Sequence, residues 1–446
     1  MSDSIICSDF ISFIPSYSEY KPNMKIKYRT LLLTTLICAG ATQSNAQCLN
    51  GRYISQVFSA DNVTSNIQYG SNLSYTGSSQ NLQLDVYQPT GDTLSARPLI
   101  ILAHGGSFLF GSKTGSDVVP LCHDFAKMGY VVASINYRLG IAGIPLPGPD
   151  SVGATEAVVR GVHDGKAAVR FFRQSAAQGN PYKVDTNHIY FGGVSAGAII
   201  ALHMAYLDEM SEYPSWVDSS HAGLSGGLEG TSGNPGYSSE VNAIINICGA
   251  IRDTAWIHPG DEPVCSFHGT NDNTVPYGSA IIYLLGSYPM LQVDGSYSIA
   301  ARANEVGIEN CFEIYEGQDH TPHVGSAQYY DTTKVIMRNF LAHFVCGYSL
   351  GCNYSYDVGI NSISNDIDEV LVYPNPAGNE FSLRGLGFGV EQIEIYDVFG
   401  KKIFSQKPAA IKQDPIVDVS LWPAGVYFVQ LKSNEKAITQ KLAVQH

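Results

Sequence analysis

The sequence predicts an α/β protein, a mostly parallel sheet flanked by helices, followed by a small all-β sandwich. Three observations predict it. From about Asn81 to His343, apolar runs of strand length alternate with helix-like segments. Beyond a polar stretch, the rest of the chain breaks into short β runs divided by turn residues. The chain, at 446 residues, exceeds one average domain while its composition stays near the globular norm.

In chain order, the strand candidates of the first part are Leu99 to Ala103, Val131 to Ile135, Ile189 to Phe191, Ala243 to Ile247, Val264 to Phe267 and Phe312 to Tyr315. Each is a short, nearly continuous apolar run, which suits a parallel strand covered on both faces. Between them, Thr155 to Gln174 places Ala157, Val158, Gly161, Val162, Ala168, Val169 and Phe172 at spacings mixing three and four, a helix packed on the sheet. Glu209 to Glu240 shows no period and is dense in Gly, Ser, Asn and Pro, so it reads as a long excursion over the surface. A shorter irregular stretch, Gly140 to Gly153, contains Pro145, Pro147 and Pro149. Both stretches are candidates to border a substrate pocket at the carboxyl ends of the strands.

The second part holds strand candidates at Val370 to Tyr373, Glu380 to Leu383, Gln392 to Val398, Val417 to Leu421, Val426 to Leu431 and Ile438 to Val444. Turns such as Pro374-Asn375-Pro376 and Pro423-Ala424-Gly425 separate them. The expected division is residues 1–23 as an extension preceding the true start at Met24, 24–46 as an export signal, 47–348 as the α/β domain, 349–369 as a linker and 370–446 as the β-sandwich.

The signal is read from Lys25, Lys27 and Arg29, the apolar run Leu31 to Ala41, and the small residues of Ser44-Asn45-Ala46. That run is too short to span a bilayer, and nothing downstream approaches a membrane helix in length, so no integral membrane segment is expected in the mature chain. Lys plus Arg total 26 against 40 Asp plus Glu, a formal charge of −14, and no basic run offers a stripe for phosphates; nucleic acid is excluded as a partner. Past the signal lie Cys48, Cys122, Cys248, Cys265, Cys311, Cys346 and Cys352, an odd set in a compartment that permits disulfides. At least one is expected to stay unpaired. Cys346 and Cys352 are candidate bridge members, with connectivity open, and no CxxC or Cys/His cluster suggests a metal.

Gly193-Val194-Ser195-Ala196-Gly197 falls between the strand at Ile189 and the apolar, helix-like run Ala198 to Tyr206. A sharp strand-to-helix turn exposes the serine hydroxyl in strained geometry, and its glycine flanks avoid collision with adjacent backbone, so Ser195 is the expected nucleophile. His104-Gly105-Gly106-Ser107-Phe108 ends the Leu99 strand, where amides of Gly106 and Ser107, with that of Ala196, are the expected oxyanion donors. His104 is expected to be structural, because it precedes the nucleophile. His268-Gly269-Thr270-Asn271-Asp272 follows the Phe267 strand and supplies Asp272 as the acid that fixes the histidine tautomer, with Asp253 as its competitor. Glu316-Gly317-Gln318-Asp319-His320 supplies His320 as the base, with His323 as its competitor.

These motifs, with Asn136-Tyr137-Arg138-Leu139-Gly140, make residues from about Gln80 to Phe344 resemble an α/β-hydrolase of the carboxylesterase and carbohydrate-esterase sort. The resemblance implies a serine esterase working through an acyl-enzyme, with no cofactor and a small-molecule or polymer-linked ester as substrate; acetylated or feruloylated polysaccharide fits export. Tyr373 to Asn379, Ile395 to Gly400 and Leu421 to Tyr427 resemble the C-terminal sorting domain of type IX secretion substrates. That implies a cell-surface or secreted protein of a Gram-negative bacterium, with the type IX machinery as a partner. Two other readings remain: a serine peptidase of the prolyl-oligopeptidase type, which would want an upstream propeller, and a noncatalytic surface binding protein on a hydrolase fold.

Overall fold

The computed structural model describes residues 48–144, 146–353, 371–384, 392–407, 415–432 and 437–445. The expected export signal, and all of the expected linker but its first few residues, lie outside them. In chain order the first part runs β1 (Asp61–Leu73), β2 (Ser79–Pro89), β3 (Arg97–Ala103), α1 (Val119–Met128), β4 (Val131–Ile135), α2 (Ser151–Ala177), β5 (Val184–Val194), α3 (Ala196–Tyr206), β6 (Ala243–Ile247), β7 (Ala250–Ile251), β8 (Val264–Gly269), β9 (Ser279–Leu284), β10 (Tyr288–Gly295), α4 (Ser296–Val306), β11 (Asn310–Tyr315), α5 (Pro322–Gly325) and α6 (Ala327–Cys346).

The main sheet has the spatial order β1-β2-β4-β3-β5-β6-β8-β11. All pairs from β4 through β11 are parallel, whereas β1 with β2 and β2 with β4 are antiparallel. Every residue of β3, β4, β6 and β8 is buried. Their continuous apolar runs thus go with sheet positions covered on both faces. The sheet starts earlier than the sequence suggested, at Asp61 rather than near Asn81, because the long hairpin β1–β2 alternates polar and apolar residues and lacks an apolar run. A second, smaller sheet, β7-β10-β9, was also not foreseen.

Helix α2 extends the predicted segment at both ends; Asp150 caps it by accepting a hydrogen bond from the Gly153 amide at 2.8 Å. Its apolar stripe meets the sheet, yet Glu156, Arg160, His163, Asp164, Lys166 and Arg170 are buried too. Residues 209–240 cover that polar side. Arg138 and Asp164, both fully buried, pair at 2.8 Å, and Ser232 Oγ donates to Asp164 at 2.6 Å. The same guanidinium donates to the carbonyls of Leu73, Gly223 and Arg160, while Glu229 receives Lys166 and Arg170. The excursion is therefore a strap held by ion pairs and carbonyl contacts, which is why its sequence carries no apolar period.

Cys352 pairs with Cys311, 41 residues away, and Cys346 is also disulfide-bonded; Cys122, Cys248 and Cys265 are free and buried. The second part holds β12 (Leu371–Tyr373), β13 (Glu380–Arg384), β14 (Gln392–Asp397), β15 (Lys402–Gln406), β16 (Ile416–Asp418), β17 (Gly425–Lys432) and β18 (Ala437–Val444). They form two antiparallel sheets, β12-β13-β16 and β15-β14-β17-β18, over a core that includes Phe381, Ile395, Val429 and Leu442. β15 was missed, and the strand expected to reach Leu421 stops at Asp418.

Candidate active site

The carboxyl ends of β5, β8 and β11 bring three sequence-predicted side chains together. Ser195 sits between β5 and α3 with φ 54° and ψ −115°, a conformation that a side-chain-bearing residue adopts only under strain. Its neighbours allow it: a Cβ at Gly197 would lie 2.0 Å from the Ala103 carbonyl oxygen, so only glycine lets α3 begin against β3. The hydroxyl of Ser195 donates to His320 Nε2 at 2.8 Å, and His320 Nδ1–H donates to Asp272 Oδ2 at 2.6 Å. The imidazole edge is partly open to solvent, whereas the Asp272 side chain is fully buried.

Burial alone would raise the Asp272 pKa, but hydrogen bonds from His268 and then His320 hold it well below the usual carboxylate range. The amides of Thr274 and Val275 also donate to Oδ1, at 2.8 and 2.9 Å. The carboxylate therefore stays ionised at any physiological pH. His268, to which the sequence alone assigns no role, opens the segment that ends at Asp272. Its Nε2 lies 3.2 Å from Asp272 Oδ2, and its Nδ1 accepts from Ser296 Oγ at 2.7 Å. Asn246 Nδ2 donates in turn to that hydroxyl at 3.0 Å. His268, Ser296 and Asn246 are all buried, forming a relay behind the acid.

The loop after β3 faces the serine. Gly106 has φ 119°, and a Cβ there would lie 2.2 Å from the Phe110 carbonyl oxygen; Ser107, where a glycine would be the easier residue, adopts φ 55°. The Gly105 amide is taken by Asp117 at 2.7 Å and the Ser195 amide by the Ile247 carbonyl at 2.8 Å. The amides of Gly106, Ser107 and Ala196 take no protein acceptor among the described residues.

The competitors lie elsewhere in the hydrogen-bond network. His323 is buried with Nε2 directed at the Asp117 carbonyl at 3.2 Å, and Asp253 accepts from the Ala255 amide at 2.9 Å. His104 stacks on Tyr137 at 4.5 Å between ring centres, and Tyr137 donates to the His104 carbonyl at 2.9 Å. Burial lowers the pKa of His104. The Asn136-Tyr137-Arg138 segment thus supports the loop after β3 and the strap.

Two groups of side chains place possible metal donors within 4.8 Å of one another: Cys248, Asp272 and His320, and Asp208, Glu212 and His258. The first joins Asp272 and His320 to a neighbouring thiol that burial pushes up to about 12, so the sulfur is protonated and a poor ligand. The second joins the exposed Asp208 to the half-buried Glu212 and His258.

A cavity of about 310 Å³ opens from Ser195 and Ser107 between α2, α3, the strap and the β9–β10 hairpin. Its walls are mainly apolar, among them Phe108, Ile199, Trp216, Trp256, Leu284 and Met290. Both irregular stretches border it, through Ile141 and through Pro214 and Trp216. The hairpin that closes it was not anticipated; its signal was the apolar run Ala280 to Leu285 before Gly286.

Residues 84–255 match the BD-FAE family, and residues 371–445 match the secretion system C-terminal sorting domain. Carboxylesterase 3B of Mus musculus is 36% identical over 120 residues, covering 27% of this chain and 19% of its own length. Carboxylesterase 3 of Homo sapiens is 32% identical over 122 residues, with 27% and 20% covered. The chain thus spans about a fifth of the length of these curated relatives. Among solved structures, Thermogutta terrifontis esterase 2 phosphorylated by paraoxon aligns with TM-score 0.45 and 22% identity over 64% of this chain and 95% of that one. A truncated carbohydrate esterase from gut microbiota aligns with TM-score 0.43 and 20% identity over 65% and 98%. Among the described residues no helix is long and apolar enough to cross a membrane. Residues 84–255 are therefore similar to the BD-FAE family and form part of the mostly parallel, helix-flanked sheet, and residues 371–445 are similar to the secretion system C-terminal sorting domains.

Proposed function

We propose that the protein is an exported serine esterase that hydrolyses carboxylic esters through an acyl-enzyme on Ser195. The observation that carries this reading is the unbroken hydrogen-bonded series from Ser195 through His320 to the ionised Asp272. Ser195 Oγ attacks the ester carbonyl while its proton passes to His320 Nε2, and Asp272 stabilises the imidazolium that results. The negative oxygen of the tetrahedral intermediate lies towards the amides of Gly106, Ser107 and Ala196, each worth about 3 kcal/mol in the transition state. His320 then returns the proton to the departing alcohol, and a water activated by the same imidazole releases the acid. The mainly apolar cavity beside Ser195 suits the acyl or aryl portion of an ester better than a charged group. The sorting domain supports passage out of the cell by type IX secretion, with esters of polysaccharides as one accessible substrate class.

The deciding experiment assays the purified chain on acetyl, butyryl, octanoyl and feruloyl esters and on an aminoacyl anilide. Ester turnover that falls at least 1000-fold in Ser195→Ala is the expected result. Unchanged turnover in that variant rules out the mechanism, and anilide cleavage faster than every ester favours a peptidase.

A further inference from the structure

Two segments at the mouth of the cavity depart from the usual pattern of a protein surface. Residues 276–293, which include β9 and most of β10, carry no charged side chain, and neither do residues 140–149, in a chain of net charge −14. A two-stranded element over a cavity normally presents polar side chains to water on its outer face. Here large apolar side chains are exposed as well as buried. On β9, Ile282 and Leu284 are half-buried and line the cavity, Tyr283 borders it while staying 46% exposed, and Ile281, which does not line it, is 45% exposed. At the tip Leu285 is 55% exposed, and across the turn Tyr288 is 40% exposed. The neighbouring loop adds Leu146 at 84%. The two segments are contiguous, because a Cβ on Gly148 would lie 3.3 Å from the Tyr288 ring. Strand β9 is also an edge of its sheet, with no further strand paired to it among the described residues.

We propose that this rim seats the protein on the surface of aggregated, uncharged ester, so that the cavity opens directly into the apolar phase. The inference deepens the serine-esterase reading and names its substrate class: esters with apolar acyl chains, presented as an emulsion or micelle. Three features select this occupant. A rim without charge offers no ion pair to a charged polymer, and the net negative charge of the chain opposes an anionic bilayer. Exposed tyrosines suit a boundary where one end of the side chain is wet and the other dry. The rim is continuous with the cavity wall, because Ile281 is followed by the cavity-lining run Ile282 to Leu285. A protein partner or a second copy seated there would cover the entrance, whereas an ester phase feeds a chain into the cavity without passing it through water.

The test uses the full chain carrying Ser195→Ala, so that binding is read without turnover, and measures its partition onto trioctanoylglycerol emulsion droplets. The comparison protein adds Leu146→Ser, Ile281→Ser and Tyr288→Ser, none of which lines the cavity; Tyr288→Lys alone serves if the triple variant does not fold. Partition of the parent and at least a tenfold loss in the rim variant are expected. In the Ser195 background, hydrolysis of the emulsion should fall at least tenfold while hydrolysis of a dissolved acetyl ester stays within twofold. Absence of parent partition, or equal partition of both proteins, overturns the proposal. A parent dimer that the rim variant converts to monomer also overturns it, in favour of self-association. Partition with no ester turnover sinks the esterase reading and leaves the docking surface standing.

Discussion

At the scale of single residues, the site depends on how Asp272 is held. Its carboxylate accepts from two imidazoles and two amides, so removal of His268 leaves it ionised but freer to turn. His268→Gln is expected to lower kcat about tenfold with KM nearly unchanged, the effect of one lost hydrogen bond to a charged group. Asp272→Asn, which also disturbs the tautomer of His320, is expected to lower kcat by about 10⁴. Equal effects of the two substitutions on kcat would show that His268 does more than position the acid. Glu262 presents the opposite electrostatics. Burial, reinforced by Asp261, Asp208 and Glu240, raises its pKa to about 7 from the usual 4.5. Between those values the unfolded chain has released the proton and the native one retains it, so stability falls as pH rises through that window. Glu262→Gln is expected to match the parent at pH 4 and to exceed it at pH 8 by ~2 kcal/mol, after allowance for the partial exposure of the group. Thermal unfolding at the two pH values checks the sign.

At the scale of elements, the parts legible in the sequence were those that obey one period. The buried strands β3, β4, β6 and β8 appeared as nearly continuous apolar runs, and α2 as a mixed spacing of three and four. The motif after β5 was legible because its glycines are imposed by backbone contact, as at Gly197. What escaped was built on other rules. In the hairpin β9–β10 the apolar run Ala280 to Leu285 shows no alternation, while the strap is organised by charges that meet only in three dimensions. Arg138, Asp164 and Ser232 are spread over 94 residues, and no local pattern announces their meeting. This predicts how the strap fails. Arg138→Met leaves Asp164 buried without its cation and is expected to cost about 3–5 kcal/mol. The loss should concentrate between residues 209 and 240, where limited proteolysis would cut the variant before the parent. Cleavage spread evenly along the chain would mean that the pair stabilises the sheet instead.

At the scale of the whole molecule, the chain is laid out for a compartment in which thiols oxidise. Cys311 lies on β11, the edge of the main sheet, and Cys352 lies beyond α6, so the bridge fixes the stretch that leaves the hydrolase fold to the strand just before His320. A loop of 41 residues closed in the unfolded chain is worth about 4 kcal/mol by chain entropy, with native-state relaxation reducing what is realised. The buried Cys122, Cys248 and Cys265 contribute nothing of this kind, and burial pushes each thiol upward, so they resist oxidation while folded. Protein made where thiols stay reduced should therefore fold with Ser195, His320 and Asp272 in place and with a lower melting point. Cys352→Ser is expected to lower stability by about 2–4 kcal/mol and to narrow the difference between oxidised and reduced samples, leaving the part that the bridge at Cys346 supplies, with kcat/KM on a dissolved ester unchanged within twofold. A variant that loses activity in proportion to stability would instead mean that the bridge holds the His320 loop in place through β11.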